Sequence, residues 1–318
     1  MRVGSDPSVL PAPVLIADSY NNRLIEVDPQ GRILWEFPRK GDLAAGQTFK
    51  TPDDAFFTPD GKQIIATEEE AFTISLIDVA THRITWRYGV PGHHGSEPNH
   101  LWNPDDALVL PNGYVFLPDI KNCRMLLIAP GAHKPTRIYG ATGVCGHHPP
   151  QRYAHPNGAF PMRNGHYIVT EINGAWVTEV DLAGKVYSSR HIPGFTYPSD
   201  TNEVRPGVYL TVDYQMPGTI AEFTSTGGVL WRYHPQGADA LDHPSLAIPL
   251  PNGDVLCNDD RNQRVIVIDP KTRKIVWQYG ITGEAGRAPG LLSNPDGVDL
   301  APPYSELVER APTMGVAP

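Results

Sequence analysis

The sequence predicts an all-β protein built as a six-bladed β-propeller of four-stranded blades. Three observations carry this: one unit recurs six times, each unit holds short strand-like runs, and one unit is divided between the two ends of the chain. Aligned on its proline, the unit reads "TPDDAFFTPDGKQIIATE" at Pro52, "NPDDALVLPNGYVFLPD" at Pro104 and "HPNGAFPMRNGHYIVTE" at Pro156. It continues as "YPSDTNEVRPGVYLTVD" at Pro198, "HPSLAIPLPNGDVLCND" at Pro244 and "NPDGVDLAPP" at Pro295. The prolines lie 52, 52, 42, 46 and 51 residues apart, so the loops vary while the unit persists.

Within a unit, the first run follows the proline and ends at a Gly turn. The second is β-rich and ends in an acid: Glu68, Asp119, Glu171, Asp213 or Asp259. The third alternates apolar and polar residues, as in "TISLID" and "RVIVID". The fourth is aromatic, as in "ITWRYG" and "IVWQYG", and Trp35, Trp86, Trp231 and Trp277 recur there as expected blade-to-blade packing. The N-terminal runs "VLIAD", "RLIEVD" and "ILWEF" match strands two to four, and "NPDGVDLAPP" supplies only strand one. Joined, the ends make a full blade and leave no open sheet edge. An open solenoid would instead need capping repeats. One propeller domain is expected over 1–318, with irregular tails at 1–12 and 303–318.

Composition narrows the partners. The 33 prolines and 30 glycines among 318 residues are dispersed, which reads as turns. A net charge of -9 without a basic cluster argues against nucleic acid and anionic membranes. The start has no apolar run of signal-peptide length and no stretch approaches a membrane span, so a soluble chain, cytoplasmic by default, is expected. Three cysteines without metal-ligand spacing predict no disulfide framework, with Cys123 and Cys257 as buried thiols.

"LIADSYNNRLIEVD" and "CNDDRNQRVIVID" resemble the NHL repeat, in which an acid is followed by Asn, Arg and an apolar strand. The linkers "YGVPG", "YGATG" and "YGITG" are similar to NHL linkers as well. The resemblance covers nearly the whole chain and implies the fold, while one architecture hosts many activities.

In a propeller the first strand of each blade lines the central channel. The residues after the repeat prolines should therefore ring its mouth: Asp53, Asp105, Asn157, Ser199, Ser245 and Asp296, with Asp54, Asp106 and Asp200 one step on. The acids Asp18, Glu69, Asp119, Glu171, Asp213 and Asp259 are expected near the same face. Carboxylates crowded on one axis raise each other's pKa unless a cation or backbone N–H groups compensate them. An oxygen-only set suits a hard divalent cation, most simply Ca²⁺, with Zn²⁺ as the other candidate. The competing reading is structural: Asp after Pro caps turns through the backbone, and the resemblance to NHL repeats implies that the strand-two acids brace neighbouring turns.

Asn157 in "HPNG" and Asp296 in "NPDG" resemble two steps of the gluconolactonase/senescence-marker and phosphotriesterase-like propellers, which implies a catalytic Ca²⁺. Asp105 fills a third comparable place, but the Gly-Glu-Gly-Pro start of that family, and with it a glutamate ligand, is missing. The metal set expected is Asp53, Asp105, Asn157, Asp200 and Asp296. His155 and His243, each directly before a repeat proline, are the acid/base candidates. Two mouth histidines are also similar to the Zn²⁺ site of NHL amidating lyases, where a third His has no counterpart here. "HPSLAIPLPNGDVL" with Arg261 resembles bacterial arylsulfotransferases, which transfer sulfate through a histidine.

The His-rich linkers 89–103 and 140–155 should overhang the mouth. His93–His94 and His147–His148 are further metal candidates, and Trp102 is either a stacking surface for a ligand or a rim plug. Two readings follow. One is a small-molecule enzyme, a metal-assisted hydrolase of a lactone, ester or phosphoester, with a lyase or sulfate transfer as the variant. The other is a scaffold propeller that binds a protein, peptide or glycan and does no chemistry.

Overall fold

The computed structural model describes residues 4–305, and twenty-four strands lie among them. Blade one combines β1 (Val14–Asp18), β2 (Arg23–Val27) and β3 (Ile33–Phe37) with the last strand, β24 (Pro295–Leu300), in the order β24-β1-β2-β3. Blade two is β4 (Ala55–Phe57), β5 (Gln63–Glu68), β6 (Thr73–Asp78) and β7 (Arg83–Gly89). Blade three is β8 (Leu108–Val109), β9 (Val115–Asp119), β10 (Arg124–Ile128) and β11 (Pro135–Tyr139). Blade four is β12 (Pro156–Pro161), β13 (Tyr167–Glu171), β14 (Trp176–Val180) and β15 (Val186–His191). Blade five is β16 (Pro198–Arg205), β17 (Val208–Asp213), β18 (Thr219–Thr224) and β19 (Val229–Tyr233). Blade six is β20 (Ala247–Pro249), β21 (Val255–Asp259), β22 (Arg264–Asp269) and β23 (Lys274–Tyr279). The ring closes as the split unit requires: β24 pairs antiparallel with β1, Val14 opposite Leu300.

The acid ending each second strand holds the linker that leads into its own blade. Asp18, Asp119 and Asp259 each take the Nε of Arg23, Arg124 and Arg264 at 2.6–2.7 Å. Each also accepts a linker N–H, from Ser293, Trp102 and Asp242. Glu68, Glu171 and Asp213 do the same with Lys50 N, Ala154 N and Tyr197 N. These acids are occupied, with charge-assisted bonds replacing the water they lost. The indoles act between blades: Trp35, Trp86, Trp231 and Trp277 donate Nε1–H to the carbonyls of Val79, Ala132, Pro270 and Pro29.

One expectation is corrected. Cys123 is not a free thiol: it is bonded to Cys145, which tethers the 140–155 linker to blade three, and only Cys257 is a buried free cysteine. Spacing could not reveal this, because the linker folds back to bring the two Cα atoms within 5.2 Å. Residues 4–12 hold no strand and one short turn. Asp6 caps a 3-10 turn over Pro7–Val9, its N–H bonds Val276 O, and Leu10 is buried in the core. Residues 1–3 and 306–318 of the expected tails lie outside the described residues. No helix among the described residues is long and apolar enough to cross a membrane.

Candidate functional site at the channel mouth

The residue before five of the six repeat prolines has positive φ: Thr51, Asn103, His155, His243 and Asn294. Each linker therefore turns sharply just before its channel strand and delivers the next residues toward the axis. The result is a polar cavity of about 80 Å³ lined by Asp53, Asp105, Asn157, Asp296, Glu69 and Tyr214, among others. That volume suits an ion with a few waters or the head of a small ligand. Its lining includes no Lys or Arg.

A second layer of acids lies beneath. Asp54, Asp106 and Asp200 are 3 %, 0 % and 2 % exposed. Asp54 Oδ1, both oxygens of Asp106 and Asp200 Oδ1 are buried without a hydrogen-bond donor. Under them the channel is shut by apolar side chains: Phe56 and Phe160, from blades two and four, meet edge-to-face at 5.6 Å within a cluster that includes Leu108 and Ile248. The axis is thus closed below the acids and open above them.

Two acid triads converge closely enough to share an ion. Asp53, Asp54 and Asp105 offer oxygens within 4.8 Å of one another, and so do Asp54, Asp106 and Asp200. Burial, then repulsion from neighbouring carboxylates, raises Asp53, Asp54, Asp105 and Asp106 well above the usual range. Asp200 and Glu69 are pushed up to about 7, in both cases chiefly by burial. Two ionised carboxylates about 4 Å apart repel by about 4 kcal/mol at an effective dielectric of ~20, so full ionisation here requires compensation. Two glycines make room. A Cβ on Gly158 would stand 2.2 Å from Asp200 Oδ1 and 3.0 Å from Asp106 Oδ2, and one on Gly297 would stand 2.3 Å from Asp54 Oδ1.

The structure brings Asp53, Asp105, Asn157 and Asp296 to the cavity wall and places Asp200 in the layer below. Asn157 donates Nδ2–H to Ser199 Oγ at 3.0 Å, which leaves its carbonyl oxygen as an acceptor. His155, His243 and Arg261 are not in the wall but stand around it. His243 Nδ1 lies 2.6 Å from Asp242 Oδ1, and its ring sits edge-on to Tyr214 at 4.7 Å. His155 Nδ1 lies 2.7 Å from Asn173 Nδ2, and burial with nearby Lys121 lowers its pKa. Arg261 is exposed, with its N–H bonded to Asp242 O.

Of the linker histidines, His147 is held by Glu171 at 2.9 Å and stacks on Trp176, while His94 stacks on Trp102 at 4.4 Å. Trp102 remains 40 % exposed on the rim. Sequence reasoning missed Asp260 and Tyr214. Both directly follow a strand-two acid, as Glu69 follows Glu68, so the repeat alignment held the signal one position further on. Asp260 is fully buried, takes Asn258 Nδ2–H at 2.7 Å, and has its pKa raised by burial and then by Asp296.

No family model and no curated protein matches this chain. Solved structures do match its fold. A protein of unknown function from Bacteroides caccae superimposes with a TM-score of 0.62 at 15 % identity, covering 90 % of this chain and 98 % of that one. A streptogramin B lyase gives 0.59 at 16 % identity, covering 94 % and 93 %. A virginiamycin B lyase from Staphylococcus aureus gives 0.55 at 16 %, covering 82 % and 78 %. At these identities the likeness shows a shared six-bladed architecture.

Proposed function

We propose that this chain is a small-molecule enzyme whose centre is the acidic cavity at the channel mouth, loaded with a hard divalent cation, most simply Ca²⁺. The supporting observation is the set of convergent carboxylates with donor-free buried oxygens and no cationic side chain in the wall. Asp53, Asp54 and Asp105 would hold the ion, with Asp296 and the Asn157 carbonyl completing an oxygen-rich set. When bound, such a cation supplies Lewis-acid polarisation of a carbonyl or phosphoryl oxygen.

The protein's own groups supply the rest. Asp242 orients the His243 ring, so with Nδ1–H donated to Asp242 the Nε2 lone pair is free to accept a proton. Asn173 donating to His155 Nδ1 leaves the proton of the neutral ring on Nε2, where it can be given up. Tyr214 and Tyr197 form an aromatic ledge, with ring centroids 5.5 Å apart, beside the polar cavity. A base and an acid around one electrophilic centre serve either hydrolysis of a lactone, ester or phosphoester, or elimination across one.

Elimination is favoured here on one further ground. The matching folds include lyases, and one of them, a histidine-to-alanine virginiamycin B lyase solved with quinupristin, is catalytically inactive. On this chain that kind of role falls to His243, the histidine with a carboxylate behind it. The test is a panel of cyclic esters and lactones assayed with Ca²⁺ and with chelator, with products resolved by mass. An elimination product lacks the added water of hydrolysis. Turnover that survives chelation refutes the cation's part. A protein that binds no divalent cation and turns over nothing is the scaffold alternative.

A further inference from the structure

We propose that the axial acids form two cation sites rather than one, bridged by Asp54: an upper site on Asp53, Asp54 and Asp105, and a sealed lower site on Asp54, Asp106 and Asp200. The upper half rests on the cation reading of the cavity given above. The lower half rests on observations of its own.

Asp106 has no exposed surface, and no donor reaches either of its oxygens. Asp54 and Asp200 each aim a further donor-free oxygen at the same place, and the three ligand atoms lie within 4.8 Å of one another. A Ca²⁺ bonded to oxygen at about 2.3–2.6 Å spans oxygens up to roughly 5 Å apart, so this triad fits one ion. Asp106 and Asp200 do not line the open cavity, so a guest at the mouth leaves them uncompensated. The charge balance agrees. One divalent cation among Asp53, Asp54, Asp105, Asp106, Asp200 and Asp296 leaves four negative charges on the axis, and two cations leave two. Gly158 supplies the space, because any Cβ there would collide with the oxygens of Asp200 and Asp106.

The experiment is Ca²⁺ stoichiometry by calorimetry and by elemental analysis after gel filtration, on the wild-type chain, Asp106→Asn and Gly158→Ala. We expect two equivalents in the wild type, the second exchanging more slowly, and one in each variant. One equivalent in the wild type overturns the two-site inference and leaves the upper site and the proposed function standing; the lower acids would then share protons instead. No equivalent overturns both. Two equivalents retained by folded Asp106→Asn and Gly158→Ala overturn the assignment of the lower ligands. If a variant does not fold, judged by circular dichroism, the wild-type stoichiometry alone decides.

Discussion

Replacing Asp200 by Asn in cation-free protein should remove a specific pH dependence of stability. The carboxyl of Asp200 is raised from 3.8 to about 7 in the folded state, mainly by burial. A raised acid favours the folded state while protonated, so its contribution is complete below pH 3.8 and is lost as pH rises through about 7. Between pH 5 and pH 8.5 the unfolded group is ionised throughout, while the folded group loses its proton over about two pH units, worth ~3 kcal/mol. An unfolding entropy of about 0.7 kcal/mol/K for a chain of 318 residues converts this to a Tm lower by ~4 °C at the higher pH. The assay is differential scanning calorimetry in chelator at the two pH values, for wild type and Asp200→Asn. The wild type should fall by about 4 °C more than the variant. Saturating Ca²⁺ should abolish the difference, because a bound cation stabilises the ionised form that the bare site disfavours. Parallel slopes in chelator would refute the claim that Asp200 is held protonated by its surroundings. Identical slopes with and without Ca²⁺ would refute compensation by the ion.

Three further outcomes follow from the same geometry. Asp105→Asn should weaken Ca²⁺ binding by about 100-fold or more by calorimetry while leaving the Tm in chelator unchanged or slightly higher. His243→Gln should lower kcat by roughly 10²–10⁴ with cation binding intact, and Asp242→Asn should give a smaller loss in the same direction. Cys145→Ser, or a reductant, should cost about 3 kcal/mol, because the bond closes a loop with a sequence separation of 22, and should lower the Tm by ~5 °C without changing the cation stoichiometry.

The architecture was legible because a propeller repeats its chemistry. Every blade shows the proline, the strand-two acid and the outer aromatic, and the five unbroken blades add the Gly turn, so an ambiguous run in one unit is settled by its counterpart in another. The split unit predicted closure, and β24 on β1 is that closure. The mouth acids were legible for the same reason, since position after the proline fixes position on the axis. What stayed hidden depends on contacts between loops of unrelated length. The Cys123–Cys145 bond joins a 3-10 turn to a long linker, and no periodicity links them. The two-layer arrangement of the acids was hidden as well. Asp53–Asp54 and Asp105–Asp106 read as simple doublets, yet Asp53, Asp54 and Asp105 line the cavity while Asp106 has no exposed surface and does not.

Because β24 carries Asp296, one part of the cavity wall is translated after all the others. A nascent chain that has emerged as far as blade six holds most of the oxygens but presents them in an open arc. If the mouth binds its ion as proposed, tight capture becomes a chemical report that the ring has shut, and an ion already present would favour the shut form over competing pairings of the unsealed β1 edge.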